Sequence, residues 1–306
     1  SPPSMEAFAL TGLRADGRRS GEARSVRVKI GQAGYSGSAY VEQGQTKVLA
    51  QVLGPRDVDR KKDESHDHCQ VKVSFTAAPF AALERNRKRP EDRQSMALAM
   101  VVQEALMSVV RVEVYPQTQI DVHINLLQDD GSRLPVCVNA ASLALMDAGI
   151  AMKDFLVACS AGVVDKQAVM DVNRKEQLGG GAYLPVAILP GSDSIVLAEM
   201  DCKMPLGNFS DLLSVAMSGC HQMHQILREE VREHSKSLFN MQAGGVAGKT
   251  QEIGKKRRLD GEDELSDGDE DVVEEDSSER RGNEGEQADE REMEAGEVEA
   301  FAAERT

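Results

Sequence analysis

Two kinds of polar segment in this chain could hold phosphate groups, and the first is a glycine turn. Asp129-Asp130-Gly131-Ser132-Arg133 follows a predicted strand and precedes a predicted helix. A glycine turn that opens a helix exposes backbone N–H groups, and Ser132 and Arg133 would add further donors for an anion. Taken alone, the same residues also fit a plain turn in which Ser132 caps the helix.

The second kind is a cluster of cations within a predicted loop. One cluster spans Arg85 to Arg93, and another lies in the polar segment from Arg56 to His68. Contacts to an RNA backbone need cations and no reading of bases, although solvated loops carry similar runs of charge. The candidate RNA-binding residues are Arg60, Lys61, Lys62, Arg85, Arg87, Lys88, Arg89 and Arg93.

Metal-ligating residue types occur in the chain without the spacing of a zinc site. His66 and His68 would point to one side of an extended segment and Cys69 to the other, while His221 and His224 fit a partly buried helix face. The five cysteines are scattered and include no CxxC pair. They are typical of reduced, mostly buried thiols in an intracellular protein, and we expect no bound metal.

The net charge of -15 is unevenly distributed. Residues 259–306 carry 21 acidic and 4 basic side chains, whereas residues 1–258 carry 30 acidic and 32 basic ones. The acidity therefore belongs to the C-terminal tail, and the nearly neutral body is not excluded from binding RNA. No apolar run is long enough for a transmembrane helix, and the first residues lack the pattern of a secretory signal.

The elements that must position these residues follow from hydrophobic periodicity. Apolar residues alternate along several segments between 24 and 77 and again from 119 to 126, which predicts strands. Steps of three and four predict a helix over 91–112, capped by Asp92 and burying Met96, and a small-residue helix over 136–147. Further strands and a long helix, with Leu213 to Val231 on its buried face, follow after residue 150.

This order of strands and helices predicts an α+β, or mixed α/β, fold of two similar halves, about 11–150 and 151–240, within a domain of residues 1–240. Residues 241–306 are rich in Gly, Glu and Asp with a single aromatic, which predicts a disordered acidic tail. The basic tetrad 255–258 in this tail is a candidate nuclear import signal or a solvated run of charge.

A set of short motifs resembles the RNase PH superfamily along residues 11–238. It comprises Arg14-Ala15-Asp16-Gly17-Arg18, Gly37-Ser38-Ala39, Gly44-Gln45-Thr46-Lys47-Val48, Arg93 with its helix, Gly131-Ser132-Arg133, Val138-Asn139-Ala140-Ala141 and Asp147-Ala148-Gly149-Ile150. The nearest resemblance is to exosome ring subunits equivalent to the archaeal catalytic ring subunit. It implies a two-half RNase PH-like fold, and a phosphate site at Arg93, Ser132 and Arg133.

The resemblance also implies a site that uses inorganic phosphate to attack the 3′ end of RNA, with a magnesium ion and two aspartates six residues apart. Those two positions hold Gln177 and Tyr183 here, neither of which supplies a negative charge at neutral pH. Glu176 is a candidate substitute, Asp171 a further one, and Asp92 replaces one cation of the family's pair beside Arg93. We therefore expect a non-catalytic subunit without a cofactor. The alternative is an active phosphorolytic 3′–5′ exoribonuclease using Mg²⁺ and phosphate.

The same resemblance implies the partners. A non-catalytic subunit of this kind would join other RNase PH-like subunits in a hetero-hexameric ring under S1/KH cap subunits. It would thread single-stranded RNA to an associated nuclease for RNA processing and degradation, including that of rRNA. Expected locations are the nucleus, the nucleolus and the cytoplasm, with no membrane partner.

Overall fold

The computed structural model describes residues 13–31, 36–57, 68–82, 92–165, 167–200 and 202–259, with side chains described as far as residue 240. The chain forms two compact units, Ser1–Gly244 and Gly245–Thr306. All of the candidate site residues belong to the first unit, and Arg60, Lys61, Lys62, Arg85, Arg87, Lys88 and Arg89 lie outside the described residues.

The first half of the body is a five-stranded sheet. Its strands are β1 (Val26–Ile30), β2 (Gly37–Gln43), β3 (Thr46–Asp57), β4 (Gln70–Ala77) and β5 (Thr118–Gln128), in the order β1-β2-β3-β5-β4. Neighbouring strands are antiparallel except β4 and β5, which run parallel. The alternating apolar side chains point to one face and form the core, as the period of two predicts.

Two helices cover that apolar face. α1 (Arg93–Val109) packs against β4, and α2 (Arg133–Asp147) packs against β2 and β3. Asp92 occupies the predicted N-cap position of α1, although its side chain caps no backbone N–H. Met96 is 50 % exposed, so its predicted place on the buried face was wrong: on α1 the contact with the core begins with the partly buried Leu98, and full burial begins at Val102.

The second half is a four-stranded antiparallel sheet. It consists of β6 (Val157–Val164), β7 (Gln167–Met170), β8 (Tyr183–Leu189) and β9 (Ser194–Ala198), in the order β7-β6-β8-β9. A five-residue helix, α3 (Arg174–Leu178), joins β7 to β8 and was not predicted. Asn173 and Glu176 form a capping box at its start, which is a local sequence signal for a helix. A helix of five residues is too short to show a repeating apolar pattern.

The last helix, α4 (Leu206–Leu259), buries Leu212, Ala216, Cys220, Met223 and Leu227. Its backbone is helical as far as Leu259, within the segment 241–306 whose disorder stays a prediction. The basic tetrad 255–258 falls on this backbone, and residues 260–306 lie outside the described part of the chain.

The predicted burial of most cysteines is confirmed. All five cysteines are free, four are buried, and Cys202 is exposed. Within the described ranges no three His, Cys, Asp or Glu side chains cluster as metal ligands would, while His66 and Asp67 lie outside those ranges.

Among the described residues, no helix combines the length and hydropathy needed to cross a membrane.

Candidate functional site

The glycine turn before α2 adopts a left-handed backbone. Gly131 has φ 86° and Ser132 has φ 52°. A Cβ on Gly131 would lie 2.5 Å from the backbone nitrogen of Arg174, so only glycine fits at this position. The same Arg174 nitrogen donates a hydrogen bond of 2.9 Å to the carbonyl of Asp130. The turn is therefore held directly against the start of α3.

Ser132 is fully buried, and its hydroxyl is engaged inside the protein. It donates a 2.6 Å hydrogen bond to the carbonyl of Val172, and its oxygen lies 2.6 Å from the hydroxyl oxygen of Ser160. Since a serine has one proton to give, Ser160 must be the donor in the second bond. These bonds hold the turn to the end of β7, and a role for Ser132 in binding phosphate stays a prediction.

Arg133 is the first residue of α2 and differs from Ser132 in lacking such ties. Its side chain is partly buried and forms no hydrogen bond or ion pair with any residue in the described ranges. Its positive charge opposes the burial that raises the pKa of Cys137 to about 12. Arg133 thus presents a cation beside the helix N-terminus, which is the arrangement that favours an anion.

Arg93 is the exposed first residue of α1, and no described residue forms an ion pair with it. Beside it, Asp92 accepts a 3.0 Å hydrogen bond from the hydroxyl of Ser95. The position preceding Arg93 therefore carries a negative charge where the family resemblance implies a cation. Among the described residues, Arg93 supplies the positive charge at the start of α1.

Gln177 and Tyr183, the residues that the resemblance implies at the family's two acidic positions, carry no negative charge. Gln177 lies on α3, and its side-chain amide has no hydrogen-bond partner among the described residues. The ring of Tyr183 packs against Val164, Val169 and Val172. Burial raises the pKa of the Tyr183 hydroxyl far above its usual value. Tyr183 is neutral at physiological pH.

Glu176, the candidate substitute, is committed to a buried ion pair. Both of its carboxylate oxygens accept hydrogen bonds from the guanidinium of Arg14, one of them at 2.7 Å. The side chains of Arg14 and Glu176 are 0 % and 4 % exposed, so water reaches neither partner appreciably. Glu176 also accepts a 2.9 Å bond from the backbone of Asn173. Its lone pairs are used inside the protein.

Asp171, the further candidate, is engaged in the same way. Arg24 donates to its two carboxylate oxygens at 2.9 and 2.7 Å, and the Arg24 backbone adds a bond of 2.8 Å. Burial alone would raise the pKa of Asp171, but the hydrogen bonds and charge of Arg24 outweigh it and hold that pKa below its ordinary value. Asp171 is thus a buried anion that is already neutralised.

Sequence reasoning missed these two arginine clamps. Arg14 belongs to a recognised motif, but nothing in that motif indicates a partner 162 residues away. Arg24 lies outside the motifs altogether, and Asp171 is 147 residues from it. Each clamp joins an arginine to an acid far away along the chain. A single sequence does not show which distant charges pair.

Two family models match the chain in succession. Residues 22–151 match the 3′ exoribonuclease family, domain 1, and residues 154–219 match domain 2 of the same family. Exosome complex component RRP41 homolog of Arabidopsis thaliana is 38 % identical over 236 residues, covering 76 % of this chain and 98 % of that protein. Exosome complex component Rrp41 of Thermococcus kodakarensis is 38 % identical over 233 residues, with 76 % and 93 % coverage.

Solved structures agree on the fold. Rice Rrp46 superposes with a TM-score of 0.63 at 24 % identity, covering 70 % of this chain and 98 % of that one. A chain of the Archaeoglobus fulgidus exosome with RNA bound to the active site gives a TM-score of 0.62 at 23 % identity, with 70 % and 92 % coverage. The predicted resemblance and the RNase PH-like fold are confirmed, and the chain belongs to the 3′ exoribonuclease family of RNase PH type.

Proposed function

We propose that this protein is a non-catalytic RNase PH-like subunit of an RNA exosome ring, which supports 3′–5′ RNA processing and degradation by passing RNA to a separate nuclease. The observation that carries the proposal is the state of the four residues around α3. Gln177 and Tyr183 bear no charge, while Glu176 and Asp171 are buried and neutralised by Arg14 and Arg24.

Charge requirements of the reaction support this interpretation. Attack of phosphate on a phosphodiester brings two anions together, so catalysis needs cations and donors at the developing charge. A magnesium ion can supply part of that charge, but it requires carboxylate ligands that remain free to bind it. No residue between 170 and 183 offers such a carboxylate, because Asp171 and Glu176 each hold an arginine.

The comparisons support the assembly. Relatives at 38 % identity are named exosome complex components, and one similar structure is described as an archaeal exosome core. Partners in this proposal are other RNase PH-like subunits of a hetero-hexamer, S1/KH cap subunits, an associated nuclease and single-stranded RNA. Nuclear, nucleolar and cytoplasmic locations and rRNA substrates belong to the same proposal.

Cations that remain unpaired support a role in guiding RNA. Arg93 and Arg133 have no acidic partner among the described residues, and the loops with Arg60, Lys61, Lys62, Arg85, Arg87, Lys88 and Arg89 add seven more positive charges in sequence. Phosphate contacts of this type position a strand without reading its bases. Guiding RNA needs only these cations, whereas cleaving it needs the missing carboxylates as well.

The alternative is an active phosphorolytic exoribonuclease, and one observation favours it. The glycine turn has a left-handed backbone and is held against the start of α3, and Arg133 is unpaired within the described ranges. Together these features give the geometry of an anion site. An inactive subunit could use the same turn for an RNA phosphate. Activity measurements separate the two functions.

The test uses the complete ring containing this chain, single-stranded RNA, Mg²⁺ and inorganic phosphate. We expect no phosphate-dependent release of nucleoside diphosphates from a ring whose other subunits are inactive, and RNA binding that weakens in Arg93→Ala/Arg133→Ala. Glu176→Gln is the second variant, and it removes the carboxylate that is the candidate metal ligand. Robust diphosphate release that disappears in either variant would overturn the non-catalytic proposal.

A further inference from the structure

A groove of about 590 Å³ adjoins the glycine turn. Asp129 and Asp130, the first two residues of the turn, form part of its wall, whereas Arg133 and Tyr183 do not line it. Its apolar lining comes from Ala81, Ala82 and Leu127 together with Phe80 and Leu178. The phosphate chemistry of the turn gives no reason for this apolar surface.

Phe80 and Leu178 are the most informative residues of the groove. Phe80 follows β4 and is 73 % exposed, and Leu178 ends α3 and is 75 % exposed. Large apolar side chains that line one groove while facing water mark a binding surface more often than isolated ones do. Large side chains that become buried when a partner binds carry most of the energy of a protein interface.

The charges of the groove indicate what it accepts. Asp129 is neutralised by Arg174 at 2.7 Å, and Asp130 lies 3.8 Å from Arg24. Lys47 has only a 4.0 Å contact with Glu42, and Lys175 forms no ion pair within the described part of the chain. The groove thus combines an apolar floor with two lysines that have no carboxylate closer than 4.0 Å among the described residues, and this complements an apolar side chain flanked by carboxylates.

The same observations disfavour an RNA strand in this groove. An RNA-binding groove needs a row of cations along the backbone and aromatic platforms for the bases. Here two carboxylates line the wall, and one of the two exposed anchors is aliphatic. Leu178 offers no stacking face, so its exposure is explained better by a protein partner.

We propose that this groove binds an acidic segment of a neighbouring ring subunit, with an apolar side chain of that subunit between Phe80 and Leu178 and carboxylates on Lys47 and Lys175. The identity of the partner rests on the proposed function. The apolar anchors give the contact its affinity, and the lysines fix its orientation and reject basic segments.

The test is assembly of the full-length chain with the other RNase PH-like subunits of its own ring, measured by native mass spectrometry and by titration. Phe80→Ala/Leu178→Ala should weaken association with one neighbour by roughly 30-fold or more, as expected for hot-spot residues. Lys47→Glu/Lys175→Glu should weaken the same contact and make its residual affinity rise with added salt. Met100→Ala is the matched control, because Met100 is 63 % exposed on α1 and lies outside the groove.

Phe80→Ala/Leu178→Ala alters exposed side chains, so its unfolding midpoint should match that of the unmodified chain. Lys47→Glu places a second glutamate opposite Glu42 on the neighbouring strand, so the midpoint of that double variant is measured beside its assembly. Normal assembly by Phe80→Ala/Leu178→Ala overturns the groove proposal and leaves the proposed function standing. Failure of the unmodified chain to join the ring overturns both. Intact assembly with weaker binding of single-stranded oligoadenylate assigns the groove to RNA and overturns the protein contact.

Discussion

Arg24 and Asp171 form a buried bidentate ion pair that joins the segment before β1 to the end of β7. The two hydrogen bonds measure 2.9 and 2.7 Å, and the side chains are 5 % and 0 % exposed. Arg24 also donates to the carbonyl of Asp130 at 3.0 Å, next to the glycine turn. One arginine therefore links the N-terminal segment, the turn and the approach to α3.

This pair should make stability depend on pH in acid. The pKa of Asp171 is held below its ordinary value of about 3.9, so the carboxylate contributes stability above that value and loses it as pH falls through the lower, folded-state pKa. Asp171→Asn should lower the free energy of unfolding at neutral pH by about 3–5 kcal/mol, because it leaves Arg24 buried without its counter-charge.

Urea unfolding from pH 7 to pH 2 measures the effect. The unmodified chain should lose stability steeply below about pH 4, and the difference between it and Asp171→Asn should shrink there. Asp211→Asn, an exposed carboxylate on α4, is the control and should follow the unmodified chain. A constant difference across the whole range would show that the pair has no part in acid unfolding.

Glu176 should act in stability and not in metal binding. Glu176→Gln should reduce the free energy of unfolding by about 3–5 kcal/mol, because it leaves Arg14 buried without its counter-charge. Millimolar Mg²⁺ should leave the thermal midpoint unchanged in both proteins, since the carboxylate is already occupied. A Mg²⁺-dependent rise in midpoint that vanishes in Glu176→Gln would identify Glu176 as a metal ligand instead.

Ser132 and Arg133 should separate into a structural and a binding role. Ser132→Ala should cost about 1–3 kcal/mol of stability, because it deprives buried Ser160 and Val172 of a hydrogen-bond partner, with little change in RNA affinity of the ring. Arg133→Ala should preserve stability and lower the slope of log affinity against log salt by about 0.7, the value for one lost phosphate contact on a single strand.

Chemical unfolding and RNA titration at several salt concentrations check both halves of this prediction. Each variant is the other's control, since the two residues adjoin in sequence and differ in burial. Loss of phosphate or RNA affinity in Ser132→Ala at unchanged stability would restore Ser132 as a direct ligand.

The basic segment before α1 should contribute to RNA binding through charge alone. Replacing Arg85, Arg87, Lys88 and Arg89 with Ala should weaken binding of all RNA sequences alike and flatten the salt dependence by up to about 0.7 per lost contact. The four-alanine variant of the tetrad 255–258 removes the same number of positive charges and is the matched control. Equal salt slopes in the two variants would exclude a specific role for the segment before α1.

Much of the fold could be predicted from local patterns. Alternation such as that of Val26, Val28 and Ile30 placed the strands, because a strand with one buried face must repeat every second residue. The three- and four-residue steps of Val102, Leu106 and Val109 placed α1 for the corresponding reason. Met96 shows the limit, since the apolar pattern begins in the first turn of α1, where this side chain is still half exposed.

For the candidate site, the sequence by itself determined which chemical groups are present at each position. Together with the family resemblance, it predicts Gln177 and Tyr183 at the expected acidic positions, with Glu176 beside the first of them. Only the tertiary structure decided whether Glu176 and Asp171 are available, because availability depends on which cation reaches each carboxylate once both are removed from water. Arg14 and Arg24, more than 140 residues away along the chain, meet them there and neutralise them.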